Sequence, residues 1–516
     1  MRRPLLFFLV AFVLAALVYR RAPTAFLRAE SGWYLAMSHS DETTQRTAVR
    51  NFFTGSYGGH YTPLAFLSEF TMAKFAGTSR AFWRWRQLLA VAAVGAAVAG
   101  LVIAITQRLG LSRAHQLAGA GALGAITIFQ PAMVDFVTWP FMILQLTWLG
   151  LSIAALYCSI RTVSAPRASI WPWLAAGAAY ASLHVSGLGL VTVAATAGSL
   201  LWCAFIAGEA SRRERLRLIW PCAAVVLLAL LHAVMMLHPM AVAPAVGRSA
   251  SLASTVQLGL GFIFTFFLAG LRSFTFLTTA VPHAASIAYC WPFGLLLVVG
   301  GSAGIYRYLR RTLLERTLPR TITALLLVYS AIGFAATVAL IAGRQMITGP
   351  DSWVVLPYFT VMPRYVIPLQ FLFLGPVIAG LAVLAQRVPR LVLIACCAIV
   401  PAALAAQVTF QKSAMPFLTT GTRVSHYTCW RLLVEAAREC RAAGLPLPNF
   451  SMAPLTREFS EADVRTFLPL LHHDLKLAPG ETVELVPVEE YRRDPARYGR
   501  AASVKRFENK LELASD

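Results

Sequence analysis

The sequence predicts an all-α polytopic membrane protein of about eleven transmembrane helices, with interfacial helices and a small C-terminal α/β extracytoplasmic appendage. Three observations predict it. Hydrophobic residues fill 58% of the 516 positions and mean hydropathy is +0.64, far above a soluble domain. Apolar runs of roughly 17–25 residues recur between Arg-rich or Pro/Gly-rich breaks, the length a helix needs to cross a bilayer. Charge is uneven: residues 412–516 hold 15 basic and 14 acidic residues, leaving +21 of the net +22 to the apolar part. There the basic residues cluster in short loops, as the positive-inside rule expects of a topological address, and this excludes nucleic acid as a partner.

In order, the spans fall at 4–19, 87–107, 115–132, 136–158, 170–187, 189–207, 218–237, 289–307, 322–343, 366–385 and 391–411. Arg2 and Arg3 give the first run a signal-peptide look, but Tyr19-Arg20-Arg21 offers no small-residue cleavage site, so it reads as an uncleaved helix. Arg108 with Arg113, Arg161 with Arg167, residues 211–217, residues 307–320, and Arg387 with Arg390 all share one side if the N-terminus is cytoplasmic. Segment 258–280 would break that parity. Its apolar run, 258–271, is 14 residues long and ends at Arg272, which suits an in-plane or re-entrant helix. Loops 20–86, 238–288 and 344–365 and the tail 412–516 then face outward from a cytoplasmic (inner) membrane.

Two units follow, a membrane domain over 1–411 and the appendage over 412–516. In the appendage, 427–443 reads as an amphipathic helix. Ser460 with Asp463 starts a second helix ending near Leu468, before Pro469, and 482–487 alternates like a strand. Six of the eight cysteines lie in or beside apolar spans, where Cys acts as a small hydrophobe. Cys429 and Cys440 stand about 16 Å apart on a helix, too far for a disulfide.

Carboxylates are scarce in the apolar part. Between Met1 and Phe410 there are nine: Glu30, Asp41, Glu42, Glu69, Asp135, Glu209, Glu214, Glu315 and Asp351. Acid–base chemistry in the membrane must draw on these. Topology sends Glu209, Glu214 and Glu315 to the cytoplasm. The first outer loop is the richest region, with Glu30, His39, Asp41 and Glu42, the stretch 58–67 (GGHYTPLAFL), a polar-faced helix, and Trp83-Arg84-Trp85-Arg86. The simple reading is an interfacial loop with solvated charges; yet about 65 residues is long for a mere connection, and long loops tend to be functional. Asp41 and Glu42, in SDETT, also read as a helix N-terminus. Glu69 is expected to face water beside Lys74. His184 reads as a buried, hydrogen-bonded histidine.

The order of these motifs carries a resemblance. An N-terminal helix leads to Glu30, an aromatic-rich stretch and HYTPL. A Trp/Arg-marked span entry follows, then Gln130-Pro131, and then Asp135, Val137 and Trp139. This arrangement, covering roughly 1–210 and more loosely 362–368 (MPRYVIP), resembles the membrane-embedded GT-C glycosyltransferases, in their protein-mannosyltransferase-like branch.

The resemblance implies an inverting transferase that takes a sugar from a polyprenyl-phosphate donor to an extracytoplasmic glycan, lipid or protein acceptor. Glu30 would be the base, with Asp41 and Glu42 in reserve. Asp135 would orient the loop or the acceptor. His60 and Tyr61 would contact the base or phosphate. Arg364 and Tyr365, with Arg344 a weaker partner in the same loop and Asp351 balancing it, would clamp the phosphate, since a guanidinium matches phosphate geometry. Two departures stand out: Glu30 where relatives carry Asp, often paired, and Thr62 where many carry Arg. Helix-end solvation for Glu30, a turn position for Asp135, loop packing for His60 and interface anchoring for Arg364 are the structural alternatives. No metal-ligand motif occurs in the outer loops, and His472-His473 beside Asp474 reads as surface. Enzymes of this family occur with and without a divalent metal, so the resemblance leaves the metal open. Two other classes compete. A catalytically silent GT-C-like scaffold would present the tail; a lipid or solute transporter would show charged or broken helices at mid-membrane.

Overall fold

The computed structural model describes residues 2–20, 22, 30–56, 61–130, 133–164, 170–206, 212–236, 252–275, 290–348, 363–420, 434, 438, 441–442, 444, 450–451, 468–477 and 485–486. Its helices are α1 (Arg2–Val18), α2 (Glu30–Ser38), α3 (Glu42–Thr54), α4 (Pro63–Ala76), α5 (Arg80–Arg108), α6 (Arg113–Phe129), α7 (Met133–Thr138), α8 (Ile143–Ser164), α9 (Ile170–Leu183), α10 (Gly189–Ile206), α11 (Arg212–Met236), α12 (Leu252–Thr275), α13 (Trp291–Leu314), α14 (Leu318–Thr348), α15 (Pro363–Arg387), α16 (Pro389–Thr420) and α17 (Leu468–Leu475).

Among the described residues, eight helices are long and apolar enough to cross a membrane. They are α5, the unit Pro140–Ser164, α10, α11, α13, α14, α15 and α16. The other expected spans are the shorter helices α1, α6 and α9, of 17, 17 and 14 residues. At 1.5 Å per residue α9 covers about 21 Å, less than a hydrocarbon core. The segment expected in-plane is a 24-residue helix, α12, packed on α13, α14 and α15.

Successive helices pack against each other as an antiparallel bundle: α5 on α6, α8 on α9, α10 on α11 and α15 on α16. Three of the basic turns meet at one end. Arg108 Nε donates to Ser164 Oγ at 2.8 Å, joining the α5–α6 turn to the end of α8, and His115 Nε2 lies 2.9 Å from the Pro389 carbonyl at the α15–α16 turn. The loop-1 helices α2, α3 and α4 occupy the opposite end.

The expected span 136–158 starts late. Pro140 lacks an N–H, so a helix continued through it would lose the bond to the Phe136 carbonyl, and here the helix breaks. The chain therefore makes the short α7 and a 3-10 turn over Pro140–Met142 before α8 begins at Ile143. Residues 133–142 thereby become a ledge at the loop-1 end instead of the top of a span.

Loop 1 is a folded layer. Asp41 caps α3, Pro63 stands at the first turn of α4, and Gly77, at φ +50°, ends it. Tyr34 lies 6.1–6.2 Å, ring to ring, from Phe52, Phe66 and Phe141, and Phe52 lies 5.6 Å from Phe66, so α2, α3 and α4 share an aromatic core with the ledge.

In the tail, strand β1 (Phe450–Ser451) pairs in parallel with β2 (Leu485–Val486), inside the segment read as a strand. A described helix, α17, runs over Leu468–Leu475 with Pro469 near its N-terminal end, where a missing N–H costs little. The expected helix at 427–443 and the Ser460–Asp463 start lie largely outside the described residues. α17 docks on loop 1: Thr78 Oγ1 donates to Asp474 Oδ2 at 2.7 Å, and the rings of His39 and His473 stand 4.4 Å apart. So the pair His473–Asp474, read as surface, meets α2.

Two predictions follow from this packing. A Cβ on Gly294 would lie 1.8 Å from the Leu260 carbonyl oxygen, where α12 and α13 cross. Gly294→Ala should therefore cost about 1–3 kcal/mol, read as a lower melting temperature in detergent. Burial lowers the His39 pKa below its usual 6.5; His473 and Lys74 lower it further, while the Leu35 carbonyl and Asp474 oppose. Where packing of α17 supplies that burial, the lowered pKa favours docking while His39 is neutral, so this contribution is fully present above pH 6.5 and is lost as pH falls through the lowered value. The hydrogen-exchange protection factors of residues 468–475, taken relative to the intrinsic rate at each pH, should fall on acidification, and less so in His39→Gln.

Candidate functional site

The loop-1 end of the bundle is built around one ion pair. Glu69 on α4 is 2% exposed and accepts two bonds from Arg86 on α5, at 2.9 and 3.1 Å. Arg86 also donates to the Pro140 carbonyl at 2.8 Å, and its guanidinium lies 4.5 Å from the centre of the Trp83 ring. Next to it, Gln87 Nε2 donates to the carbonyls of Phe136 and Trp139 at 2.6 and 3.1 Å. Two adjacent α5 side chains thus bond three ledge carbonyls: that of Phe136, whose helical donor would have been the missing N–H of Pro140, and those of Trp139 and Pro140, which also accept from the backbone of Met142 and Ile143.

Glu69 corrects a sequence expectation. It does not face water, and Lys74 instead donates to Gln45 Oε1 at 2.8 Å. Residues five apart on a helix point away from each other. The turn at Gly77 folds α4 back on α5, and that brings Arg86 to the carboxylate. Burial pushes the Glu69 carboxyl up, against the opposing pull of Arg86.

The Trp83–Arg86 stretch divides by face. Trp83 is buried and donates from Nε1 to the Gly77 carbonyl at 2.8 Å, whereas Trp85 is 48% exposed. Arg84 donates to the carbonyls of Tyr19 and Arg20, closing α1 onto α5. Between α4, α5 and α8 lies an apolar cavity of about 580 Å³, walled by Leu64, Met72, Trp85 and Ile143, with Glu69 and Arg86 on its polar side.

Among the residues singled out from sequence, Glu30 is the first residue of α2, and its side chain lies outside the described residues. Ser31 beside it accepts a bond from the Phe141 backbone N–H at 3.0 Å, so the start of α2 sits against the ledge. Asp135 lies in α7 on that ledge, half-buried. Asp41 caps α3, accepting from Thr44 N at 2.9 Å and Thr44 Oγ1 at 2.6 Å; the hydroxyl bond leads in holding its pKa low. Glu42 pairs with Arg46 at 2.6 Å on an open face. Both take the helix-start roles that SDETT allows.

His60 lies outside the described residues. Tyr61 donates to the Phe53 carbonyl at 3.2 Å, and its ring packs 5.1 Å from that of His232. Arg344 belongs to α14, and Arg364 and Tyr365 to the first turn of α15; their side chains are outside the described residues. α15 packs against α7, and α2 against the 3-10 turn, so the helices bearing Glu30, Asp135 and Arg364 are neighbours through the ledge.

His184 was expected to be hydrogen-bonded, but its Nδ1 is buried without a partner, as is that of His232, 5.2 Å away ring to ring. Sequence reading missed His232 altogether, since a lone histidine in an apolar run carries no local signal. Among the described residues, no group of three or more His, Cys, Asp or Glu side chains is placed to hold a metal ion.

Comparison with protein-family models, with curated proteins and with solved structures finds no match.

Breaking the central pair gives a direct test. Arg86→Ala strands a buried carboxylate and should cost about 3–5 kcal/mol, visible as a large fall in melting temperature. Combining it with Glu69→Leu should recover much of the loss. If the double variant is no better than Arg86→Ala, Glu69 is not the source of the penalty.

Proposed function

We propose that the chain is a membrane-embedded glycosyltransferase of the GT-C type, transferring a sugar from a polyprenyl-phosphate donor to an acceptor at the loop-1 end of the bundle. One observation carries the reading: α2, α7 and α15, which bear Glu30, Asp135 and Arg364 with Tyr365, neighbour one another through the 133–142 ledge. The proline-interrupted ledge is a break in regular helix, and in a membrane protein such breaks are tolerated where they are buried in protein or line a cavity.

In this reading Glu30 accepts the proton of the acceptor hydroxyl as its oxygen attacks the anomeric carbon. The bond from that carbon to the phosphate oxygen breaks with inversion. The phosphate leaves carrying the negative charge, and Arg364 stabilises it. Asp135 orients the acceptor. A carboxylate at Glu30 reaches about one methylene farther than Asp would, so the acceptor hydroxyl must sit correspondingly farther from α2. The basic turns at the opposite end favour a cytoplasmic face there, with an extracytoplasmic site and tail in the inner membrane and a cytoplasmic N-terminus.

Purified protein in lipid nanodiscs, given short-chain polyprenyl-phosphate hexose and pentose donors, should release polyprenyl phosphate. Glu30→Gln should slow that release by about 10²–10⁴-fold, the usual contribution of a general base, with Glu30→Asp retaining part of it. Unchanged release in Glu30→Gln would remove Glu30 from the base role. No release by the native sequence with any donor would favour a silent scaffold.

A further inference from the structure

We infer that the groove between α9 and α11, at the basic-turn end of the bundle, binds one anionic phospholipid, with its phosphate on Arg217 and an acyl chain along Ala223, Ala224 and Leu227. The inference rests on the membrane setting of these helices and is independent of the proposed transfer reaction.

The groove is a cavity of about 620 Å³, lined by Trp173 of α9 and by Arg217, Trp220, Ala223, Ala224 and Leu227 of α11. Its place follows from the chain path. Trp173 stands in the first turn of α9, just after the α8–α9 turn, and Arg217 and Trp220 stand near the start of α11. Both indoles are turned outward, Trp173 being 52% exposed and Trp220 63%. Tryptophan in that position sits at headgroup depth, with its ring against lipid.

The dimensions suit an acyl chain. From Arg217 to Leu227 α11 rises by ten residues, about 15 Å. That is half of a hydrocarbon core of about 30 Å, the depth of one leaflet. Below Trp220 the lining is wholly apolar, and alanine at 223 and 224 leaves open a channel that larger side chains would close.

Charge selects the headgroup. Residues 211–217 carry four arginines against one glutamate, a net of +3. Of these, Arg217 lines the groove, is exposed, and has no ion-pair or hydrogen-bond partner among the described residues. A guanidinium can meet a phosphodiester with two parallel N–H bonds. At the same end Arg161, in the last turn of α8, lies 4.8 Å from the centre of the Trp171 ring on α9, so positive charge continues across the α8–α9 turn. A zwitterionic headgroup brings its own cation to such a place and is repelled by it, whereas a net anionic one is not. Basic pockets between membrane helices hold anionic headgroups for this reason.

The test takes full-length protein in detergent and counts bound lipid by native mass spectrometry during titration with phosphatidylglycerol or phosphatidylcholine of the same chains. The native sequence should hold one phosphatidylglycerol in preference to phosphatidylcholine. Arg217→Gln should cut that preference by about fivefold, the worth of one arginine at a lipid surface. Arg316→Gln removes the same charge at another exposed turn and should leave the preference unchanged. Ala223→Trp, at an exposed position, fills the groove while keeping every charge, and should lose the held lipid. Excess inorganic phosphate should not displace it. Equal binding of the two lipids by the native sequence overturns the proposal, as does an unchanged preference in Arg217→Gln or full retention in Ala223→Trp. An equal loss in Arg316→Gln overturns it in favour of surface charge at large, and displacement by inorganic phosphate in favour of a bare anion site.

Discussion

The Glu69–Arg86 pair organises the loop-1 end of this protein. It holds a carboxylate and a guanidinium in an apolar setting, where an unpaired ion is costly, and each makes the other tenable. Because Arg86 also takes the Pro140 carbonyl, the pair joins three things that sequence separates: the loop-1 helix α4, the span α5 and the ledge before α8. Gln87 extends the clamp to Phe136 and Trp139. Without it, the Phe136 carbonyl, four residues before the N–H-less Pro140, would lose its side-chain partner in a setting with little water to replace it.

The aromatic core of loop 1 depends on the same clamp. Phe141 lies one residue past Pro140 and stacks on Tyr34, which contacts Phe52 and Phe66. The carboxylate-bearing start of α2 reaches the ledge through Ser31 at this place too. Loop 1 is thus a packed layer whose floor is a break in the bundle.

Much of the architecture was legible because it follows from composition along the chain. Apolar runs located most spans, and basic clusters located the turns that meet at one end, as Arg108, Ser164, His115 and Pro389 do. The failures have local causes. Pro140 was read inside a span because the apolar run continues across it; hydropathy does not register a missing N–H. Glu69 was assigned to water beside Lys74, since its partner lies 17 positions away and is reached only through the turn at Gly77. SDETT offered both a catalytic and a capping reading, and Asp41 takes the cap. His232 was invisible because its meaning comes from His184, which only tertiary packing brings near. The chemistry-bearing side chains of Glu30, Arg344 and Arg364 stay matters of sequence, while their helices do not.

The ledge has a mechanical side. Three of its carbonyls are held by two adjacent residues on α5, and the same α5 turn grips α4 through Glu69. A displacement of α4, whether from an occupant of the neighbouring cavity or from the docked α17, therefore reaches residues 133–142 without slack. α4 and the ledge behave as two arms of one lever with its pivot at Arg86. Any event that tilts loop 1 must also tilt the platform on which Asp135 stands.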